Sequence, residues 1–321
     1  MHALSTKIPA YAKFLSPVSA RRKPSAIRAL QPLVGLPGMI SLGGGMPNAK
    51  FFPFKSIDFT LQDGSVLKST DADVKEALQY SPTPGISELV ARLKVLQEVE
   101  HAPKQPFTVA VIPGSQDGLT KIFDMLIHDQ SDNVLVEGPT YSGTLAYLEP
   151  KGCGLITVKT DHLGLNPENM RNILDNWDTT KSGKKPRLLY TIPTGSNPTG
   201  ASMNLERRIE VLKIAQEHDL LIVEDDPYYY MQYAPERVPS LFSLDPDGRV
   251  IRTDSLSKIV SSGIRVGFVS GPSELVDAMS LHNQASIMHA SGLSQLAVLM
   301  VLRWMSVGDP DAKPETAGVP H

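Results

Sequence analysis

A lysine and an arginine stand close together in this sequence, among hydroxyl side chains. Lys258 follows Ser255 and Ser257, and Arg265 comes seven residues after the lysine. A lysine amine in such a place is either an ordinary solvated charge or a nucleophile that forms a Schiff base with a carbonyl group. The stretch alone does not decide between the two, so the other polar groups of the chain must.

Further polar groups follow short apolar runs along the chain. The runs are typical of buried strands, and each stops at a turn that carries side chains able to bind a ligand. The residues at these turns are Ser115 with Gln116, Tyr141, Asn197, Asp225 with Tyr228, and Ser255. In an open α/β sheet, ligands bind beyond the carboxyl ends of the strands, so we expect these residues to share one site.

Each of these positions also has a purely structural explanation. Ser115 begins a helix directly after a strand, which gives either an anion site or an ordinary capped turn. Asn197 lies in a loop rich in proline and glycine, where asparagine either closes a turn through its own side chain or points at a ligand. Asp225 ends a buried strand, where a carboxylate is unfavourable unless a cation meets it. The coincidence of several such groups at strand ends is what predicts a site.

The elements that position these groups alternate between strands and amphipathic helices. Strands are predicted over 107–112, 133–137, 154–159, 187–192, 220–224, 250–253 and 265–270, and helices after Ile86, Ser115 and Asn166 and over 205–218 and 273–305. Leu205, Ile209 and Leu212 are expected to form the buried face of the helix over 205–218. The alternation predicts an α/β fold, with three α/β/α layers around a mainly parallel sheet.

Composition narrows the class of partner. The 321 residues are 41% hydrophobic and 20% charged with a net charge of −3, which is ordinary for a globular protein and gives no basic footprint for nucleic acid. No apolar run is long enough for a membrane span. The expected partners are therefore small molecules rather than a membrane or a nucleic acid. No metal site is predicted.

The single cysteine and the charges of the first residues bear on the compartment. Cys153 has no partner for an intramolecular disulfide, which fits a reducing environment and predicts a cytoplasmic protein. The first 57 residues carry basic side chains and no acid before Asp58, a bias that mitochondrial targeting segments also show. A basic arm packed near an anionic ligand explains the bias equally well, and a mitochondrial location is the alternative to the cytoplasm.

The motifs together resemble those of a known enzyme family. Three runs resemble, in order and spacing, the signatures of the fold-type-I aminotransferases of classes I and II, which use pyridoxal phosphate. These runs are Ser255-Leu256-Ser257-Lys258 with Arg265, Asn197-Pro198-Thr199-Gly200 and Asp225-Asp226-Pro227-Tyr228. The runs 78–82, 141–145 and 224–229 are further similar to those of the kynurenine/2-aminoadipate aminotransferases and their fungal aromatic amino acid counterparts. The resemblance implies transamination between an aromatic, kynurenine-like or 2-aminoadipate donor and 2-oxoglutarate. A lyase or decarboxylase on the same scaffold is an alternative, because a fold does not fix the reaction.

The resemblance also implies catalytic roles. Lys258 would bind the aldehyde of pyridoxal 5'-phosphate and act as the general base, while Asp225 would keep the pyridine nitrogen protonated. Asn197 and Tyr228 would donate hydrogen bonds to the phenolate oxygen of the cofactor, and Tyr141 would stack on its ring.

Phosphate and substrate ligands are implied in the same way. The phosphate would be held by Ser115, Gln116, Ser255, Ser257 and Arg265. Tyr80 would reach the phosphate bound by a neighbouring subunit, which implies a homodimer. The substrate pocket would be lined by Arg28, Gly44, Tyr141 and Asn197.

The resemblance divides the chain into three parts. These are an N-terminal arm with a substrate-pocket loop over residues 1–55, a large cofactor-binding domain over 56–305 and a disordered tail over 306–321. Family members continue for about another 100 residues into a small domain with an arginine for the substrate α-carboxylate. That domain is expected to be missing here. A second hypothesis follows, in which the chain is a truncated product that binds the cofactor and dimerises but turns over little substrate.

Overall fold

A large central sheet organises the computed structural model of this chain, which describes residues 10–30, 33, 36–40, 42 and 45–307. The strands are β1 (Phe59–Thr60), β2 (Val66–Leu67), β3 (Thr108–Ile112), β4 (Asn133–Gly138), β5 (Gly154–Asp161), β6 (Gly164–Leu165), β7 (Leu188–Thr191), β8 (Leu221–Asp225), β9 (Val250–Ser255) and β10 (Gly267–Gly271). Within the described ranges, eight of them join in the order β3-β10-β9-β8-β7-β4-β5-β6, and β1 pairs with β2.

Strand direction sets which strand ends share an edge of the sheet. The neighbours β9, β8, β7, β4 and β5 are all parallel, so the prediction of a mainly parallel α/β sheet is confirmed. β10 runs antiparallel to both β9 and β3. The start of β10 therefore lies at the same edge as the carboxyl ends of β3 and β9.

Helices cover the sheet on both sides. They are α1 (Pro17–Ala20), α2 (Ala26–Ala29), α3 (Asp71–Leu78), α4 (Ser87–His101), α5 (Ser115–Leu126), α6 (Ser142–Leu148), α7 (Pro167–Asp175), α8 (Thr179–Ser182), α9 (Leu205–Glu217), α10 (Leu241–Leu244), α11 (Ser273–Ser286) and α12 (Gly292–Trp304). In the described part of the chain, none of them is long and apolar enough to cross a membrane.

Alternation along the strands separates the two faces of the sheet. Leu188 and Tyr190 pack with α5, α6 and α11 on one face, whereas Leu189 between them packs with α7, α9 and α10 on the other. At the β3 end of the second face, Val109 and Val111 pack against α4 and α12. The predicted three-layer α/β/α arrangement is confirmed.

Two helix predictions were wrong in detail. Leu205 and Ile209 are exposed, and the buried face of α9 instead carries Arg208 and Leu212. The Arg208 side chain is fully buried because its guanidinium donates to the carbonyl oxygens of loop residues, at 3.1 Å to Pro193 and 3.1 Å to Pro239. The single helix predicted over 273–305 is two helices, α11 and α12, because the chain turns between them.

The ends of the described chain are packed on this body. Tyr11 and Phe14 are buried, and the Tyr11 hydroxyl donates to the carbonyl oxygen of Gly248 at 2.8 Å. Val307 is buried in the cluster with α4 and α12, although it falls within the predicted tail. Residues 308–321 lie outside the described residues. The division of the chain at residues 55 and 305 and the missing small domain stay predictions.

Candidate active site

The connection between β9 and β10 carries both the lysine and the arginine. The Leu256 backbone N–H donates to the Val266 carbonyl oxygen at 3.1 Å, and both side chains are buried, which closes the base of this connection. Lys258 Nζ lies 6.0 Å from the ring centroid of Tyr228. No carboxylate of the described residues forms an ion pair with Lys258, so its amine is free to meet a ligand.

Arg265 lies against the N-terminus of α5. Its guanidinium donates to the Pro113 carbonyl oxygen at 3.2 Å and to the Ser257 hydroxyl at 3.4 Å. A side chain on Gly114, whose φ is 87°, would collide with that guanidinium. The first-turn N–H groups of Ser115 and Gln116 face the same space, and a helix N-terminus carries partial positive charge. A cation beside a positive helix end is unfavourable unless an anion lies between them.

Gly267 allows this close approach of β10 to the β3–α5 turn. A Cβ at this position would lie 2.6 Å from the Asp254 carbonyl oxygen and 3.1 Å from the Ser115 backbone nitrogen. A larger residue would therefore push Ser115 away from Arg265, which ties the anion-binding geometry to the sheet itself.

Asp225 lies at the floor of the cavity and is almost fully buried. The Thr253 hydroxyl donates to its Oδ1 at 2.9 Å, and the Tyr190 hydroxyl donates to its Oδ2 at 2.9 Å. Burial raises the pKa of Asp225 from 3.8 to about 6, although these two donors oppose the rise. A cationic N–H placed in the cavity would stabilise the charged carboxylate.

Asn197 lies on a loop that is held in place by hydrogen bonds to the buried carboxylate of Glu137. The Ser196 hydroxyl donates to Glu137 Oε2 at 2.7 Å and the Ile192 N–H donates to Oε1 at 3.0 Å, while the Thr191 hydroxyl donates to the same carboxylate. Burial raises the pKa of Glu137. Since the loop is held by these bonds, Asn197 is presented to the cavity rather than used to close the turn.

Tyr141 is the residue before α6 and half-buried. Its ring packs against Gly143, where a Cβ would lie 2.5 Å from the ring carbon Cζ. Gln116 donates to the Gly143 carbonyl oxygen at 3.1 Å, so the α5 and α6 starts are bound to each other. The Tyr141 ring therefore forms a fixed wall of the cavity.

One cavity of about 200 Å³ collects the residues predicted to bind the cofactor, with Tyr80 as the exception. It is lined by Ser115, Gln116, Tyr141, Ile192, Asn197, Asp225, Pro227, Tyr228, Ser255, Ser257, Lys258, Ser262 and Arg265. Tyr80 lies apart in a recess with His289, the two rings 6.2 Å apart. Gly44 and the side chain of Arg28 lie outside the described residues.

Sequence reasoning missed the residues behind the cavity wall. These residues are Tyr190, Thr253 and Glu137, which are buried within strands. From the sequence alone, side chains at such positions are expected to serve packing rather than a site. A usable signal was the polar side chain inside a predicted strand, since Tyr190 and Thr253 lie on β7 and β9, the two neighbours of the strand that ends in Asp225.

The donor set fits a phosphorylated pyridine aldehyde. Lys258 offers an amine for the aldehyde, Arg265 with the α5 N-terminus offers a site for the phosphate, and Asp225 offers an acceptor for a ring N–H. The deciding observation is electrostatic. Within the described residues, neither cation forms an ion pair with a carboxylate, so both can pair with the phosphate and aldehyde ends of such a molecule.

Known proteins are similar to this chain in sequence and fold. The family model described as aminotransferase class I and II matches residues 58–304. The chain is similar to the mitochondrial kynurenine/alpha-aminoadipate aminotransferase of Bos taurus, with 43% identity over 93% of this chain and 73% of the relative. It is also similar to the crystal structure of aminotransferase Aro8 from Candida albicans, with a TM-score of 0.84 and 28% identity, covering 93% of this chain and 71% of that one.

A solved structure with ligands gives a further comparison. The Pyrococcus horikoshii kynurenine aminotransferase was crystallised with PMP, kynurenine and its product. It is similar to this chain with a TM-score of 0.67 and 28% identity, covering 90% of this chain and 70% of that one. These comparisons confirm the resemblance that the motifs predicted.

Proposed function

We propose residue roles and a substrate class for this chain, which belongs to the aminotransferases of class I and II. It is an enzyme of transamination that uses pyridoxal phosphate and exchanges an amino group between an amino acid and a 2-oxo acid. When bound, the cofactor supplies an electron sink for the bond that breaks at the substrate Cα. The observation that carries the proposed roles is the convergence of Lys258, Arg265 and Asp225 on one cavity.

Lys258 is the proposed catalytic amine. Its Nζ would hold the cofactor through the aldehyde group and would move the proton at the substrate Cα. Lys258 lines the cavity, and its Nζ lies 6.0 Å from the centroid of the Tyr228 ring.

The phosphate is proposed to lie between Arg265 and the start of α5. Ser255, Ser257 and the N–H groups of Ser115 and Gln116 surround the same space. The arginine then gains the anion that it lacks in the protein alone.

The ring is proposed to lie between Tyr141 and the end of β8. Asp225 would accept the hydrogen bond of the ring N–H, while Asn197 and Tyr228 would donate to the ring hydroxyl oxygen. Both of these groups line the cavity with Lys258, which supports their assignment to one ligand.

For the substrate, we propose an aromatic, kynurenine-like or 2-aminoadipate donor with 2-oxoglutarate as acceptor. The names of the bovine and Pyrococcus proteins support this class. Incubation with each donor, followed by product analysis, tests it. Transamination forms glutamate and the 2-oxo acid in equal amounts, whereas a lyase would release free ammonia.

A homodimer is also proposed. Tyr80 is half-exposed at the edge of its own recess, which supports a role toward a neighbouring subunit rather than within its own cavity. Sedimentation of the full chain measures this, and a monomer at micromolar concentration would contradict it.

For the compartment, we propose the mitochondrion, the alternative raised by the first 57 residues. The name of the bovine relative includes mitochondrial. Imaging of a fluorescent fusion in cells tests this, and diffuse cytosolic signal would favour the cytoplasm instead.

The substitution Lys258→Ala tests the catalytic assignment. We expect the full chain to develop a visible absorbance band with pyridoxal phosphate, and the variant to lack that band and to lose at least about 10²-fold in turnover. Lys213→Ala, at an exposed position on α9, is the matched control and should behave as wild type. An unchanged band in Lys258→Ala would contradict the assignment.

The same spectra separate the truncated-product hypothesis. A band that shifts in a single turnover on addition of amino acid indicates an active enzyme. A band that forms but does not shift indicates a chain that binds the cofactor without turnover.

A further inference from the structure

Tyr190 connects the floor of the cavity to the helix that carries the ring wall. It lies on β7, with its side chain fully buried. Its hydroxyl donates to Asp225 Oδ2 at 2.9 Å and accepts a hydrogen bond from the Thr144 hydroxyl at 3.0 Å. Thr144 lies in the first turn of α6, and its N–H donates to the Tyr141 carbonyl oxygen at 3.1 Å. A continuous chain of hydrogen bonds thus runs from Tyr141 to Asp225.

The direction of these bonds is fixed by the groups themselves. A phenol has one hydrogen to donate, and Tyr190 uses it on Asp225. Because burial and the neighbouring Asp225 charge raise the pKa of Tyr190 well above its ordinary value, the phenol keeps that hydrogen at every pH of interest. Tyr190 is therefore a permanent donor to the carboxylate.

Asp225 depends on such donors because burial opposes its charge. The Thr253 hydroxyl is the second donor, at Oδ1. Around the carboxylate, Glu137 from β4 and Asp226 directly after β8 oppose its ionisation, and Arg252 from β9 favours it. Lys258 lines the same cavity. Loss of one of two donors therefore favours the neutral carboxylic acid.

We propose that Tyr190 is a positioning residue that holds Asp225 charged and turned toward the cavity, and that Thr144 couples this orientation to α6 and Tyr141. This inference rests on the proposed role of Asp225 as the acceptor of the cofactor ring N–H. A neutral or rotated Asp225 would accept that hydrogen bond poorly. Tyr190 would then affect cofactor binding without touching the cofactor.

The substitution Tyr190→Phe tests this in the full chain. We expect affinity for pyridoxal phosphate, measured by equilibrium dialysis, to fall on the order of ten- to a hundred-fold, the range for a hydrogen bond to a charged group. Affinity should fall in acid as Asp225 is protonated. Since the variant lacks a donor that stabilises the charged form, the midpoint of that fall should move to higher pH by about one unit.

A matched control is available on α6. The Tyr147 hydroxyl also donates to a carboxylate, Asp124 Oδ1 at 2.6 Å, but neither residue lines the cavity. Tyr147→Phe removes the same atoms at a remote place, so cofactor affinity and the pH midpoint should stay at the wild-type values.

Two further variants separate positioning from packing. Tyr190→Phe leaves the Thr144 hydroxyl without its acceptor, which is unfavourable in itself. Combining it with Thr144→Val removes that effect, and the cofactor defect should persist in the double variant. Thr144→Val alone keeps the phenol and should shift the midpoint in the same direction by less, which also provides a test if Tyr190→Phe does not fold.

The outcomes are distinguishable. An unchanged pH midpoint in Tyr190→Phe, or recovery of affinity in the double variant, would overturn the positioning role alone. If wild type forms no Lys258-dependent band, the proposed function fails and this inference fails with it.

Discussion

Consecutive residues of β8 and β9, with Asp226 directly after β8, build two opposite electrostatic environments on the two faces of the sheet. On the face toward α9, Arg252 lies fully buried and forms ion pairs with Asp254 at 2.8 Å, Asp226 at 3.1 Å and Glu224 at 3.2 Å. We call these four residues the buried ion cluster. On the face toward α5, Asp225 contacts only hydroxyls, while the nearby cations have no carboxylate partner in the described chain.

The difference between the two faces indicates separate roles for Arg252 and for the pair Lys258 and Arg265. In the buried ion cluster, burial tends to lower the pKa of Arg252, but Asp254, Glu224 and Asp226 outweigh it and raise that pKa well above its ordinary value. The charge of Arg252 is therefore satisfied within the protein. Across the sheet, Lys258 and Arg265 are exposed and have no carboxylate partner among the described residues, so a bound anion can pair with both. The first face should therefore control folding and the second should control cofactor binding.

Arg252→Met should have the largest effect on folding. It leaves three buried carboxylates without their cation, so we expect the free energy of unfolding to fall by about 3–5 kcal/mol. Urea denaturation of the cofactor-free protein measures this. Arg171→Met is the control, because Arg171 also meets two carboxylates, Glu210 and Glu217, but at the surface. That loss should be at most about 1 kcal/mol, and equal losses in both variants would break the comparison.

Asp225→Asn should have a smaller effect of opposite sign. The pKa of Asp225 is about 6 in the folded protein against 3.8 for the ordinary group, so the folded state binds the proton more tightly. Stability from this group therefore falls as pH rises from about 4 to 6. Removing the charge should stabilise the cofactor-free protein at pH 8 by on the order of 1–3 kcal/mol, with no gain below pH 4, while cofactor affinity decreases.

Urea denaturation across this pH range provides the measurement. Asp129→Asn is the control of reverse sign. Hydrogen bonds from Ser131 lower the pKa of Asp129 to about 2, so removing its charge should slightly destabilise the protein at neutral pH. A stability gain in Asp225→Asn that persists at pH 3 would show that the charge is not its cause.

Arg265→Met should have the smallest effect on folding. Its side chain is exposed and carries no ion pair within the described residues, so the unfolding free energy of the cofactor-free protein should change by no more than about 0.5 kcal/mol. Affinity for pyridoxal phosphate should fall by about ten- to a hundred-fold. Arg265→Lys keeps the charge but loses the fork geometry and should lie between. A large stability loss in either variant would erase the contrast with Arg252.

The sequence predicts the convergence of the site because parallel strands place their carboxyl ends at one edge. Asp225, Asn197 and Ser255 could be grouped on that ground alone. The antiparallel course of β10 could not be predicted, because strand order depends on long-range pairing that local patterns do not record. Arg265 therefore reaches the site from the beginning of a strand rather than from an end.

The residues behind the cavity were hidden for a different reason. Tyr190 in a strand of aliphatic residues is typical of core packing, and its role depends on Thr144 and Asp225, which are remote in sequence. Arg208 was missed in the same way. Its burial depends on carbonyl groups of two loops, whereas periodicity describes only the helix that carries it.

The closed connection between β9 and β10 has an entropic consequence. Ser255 pairs with Gly267, and Leu256 is bonded to Val266, so both ends of the connection are fixed by the sheet. The backbone positions of Ser257, Lys258 and Arg265 are thus largely set when the domain folds. A phosphate that binds there orders little additional backbone, so most of its electrostatic attraction remains as affinity.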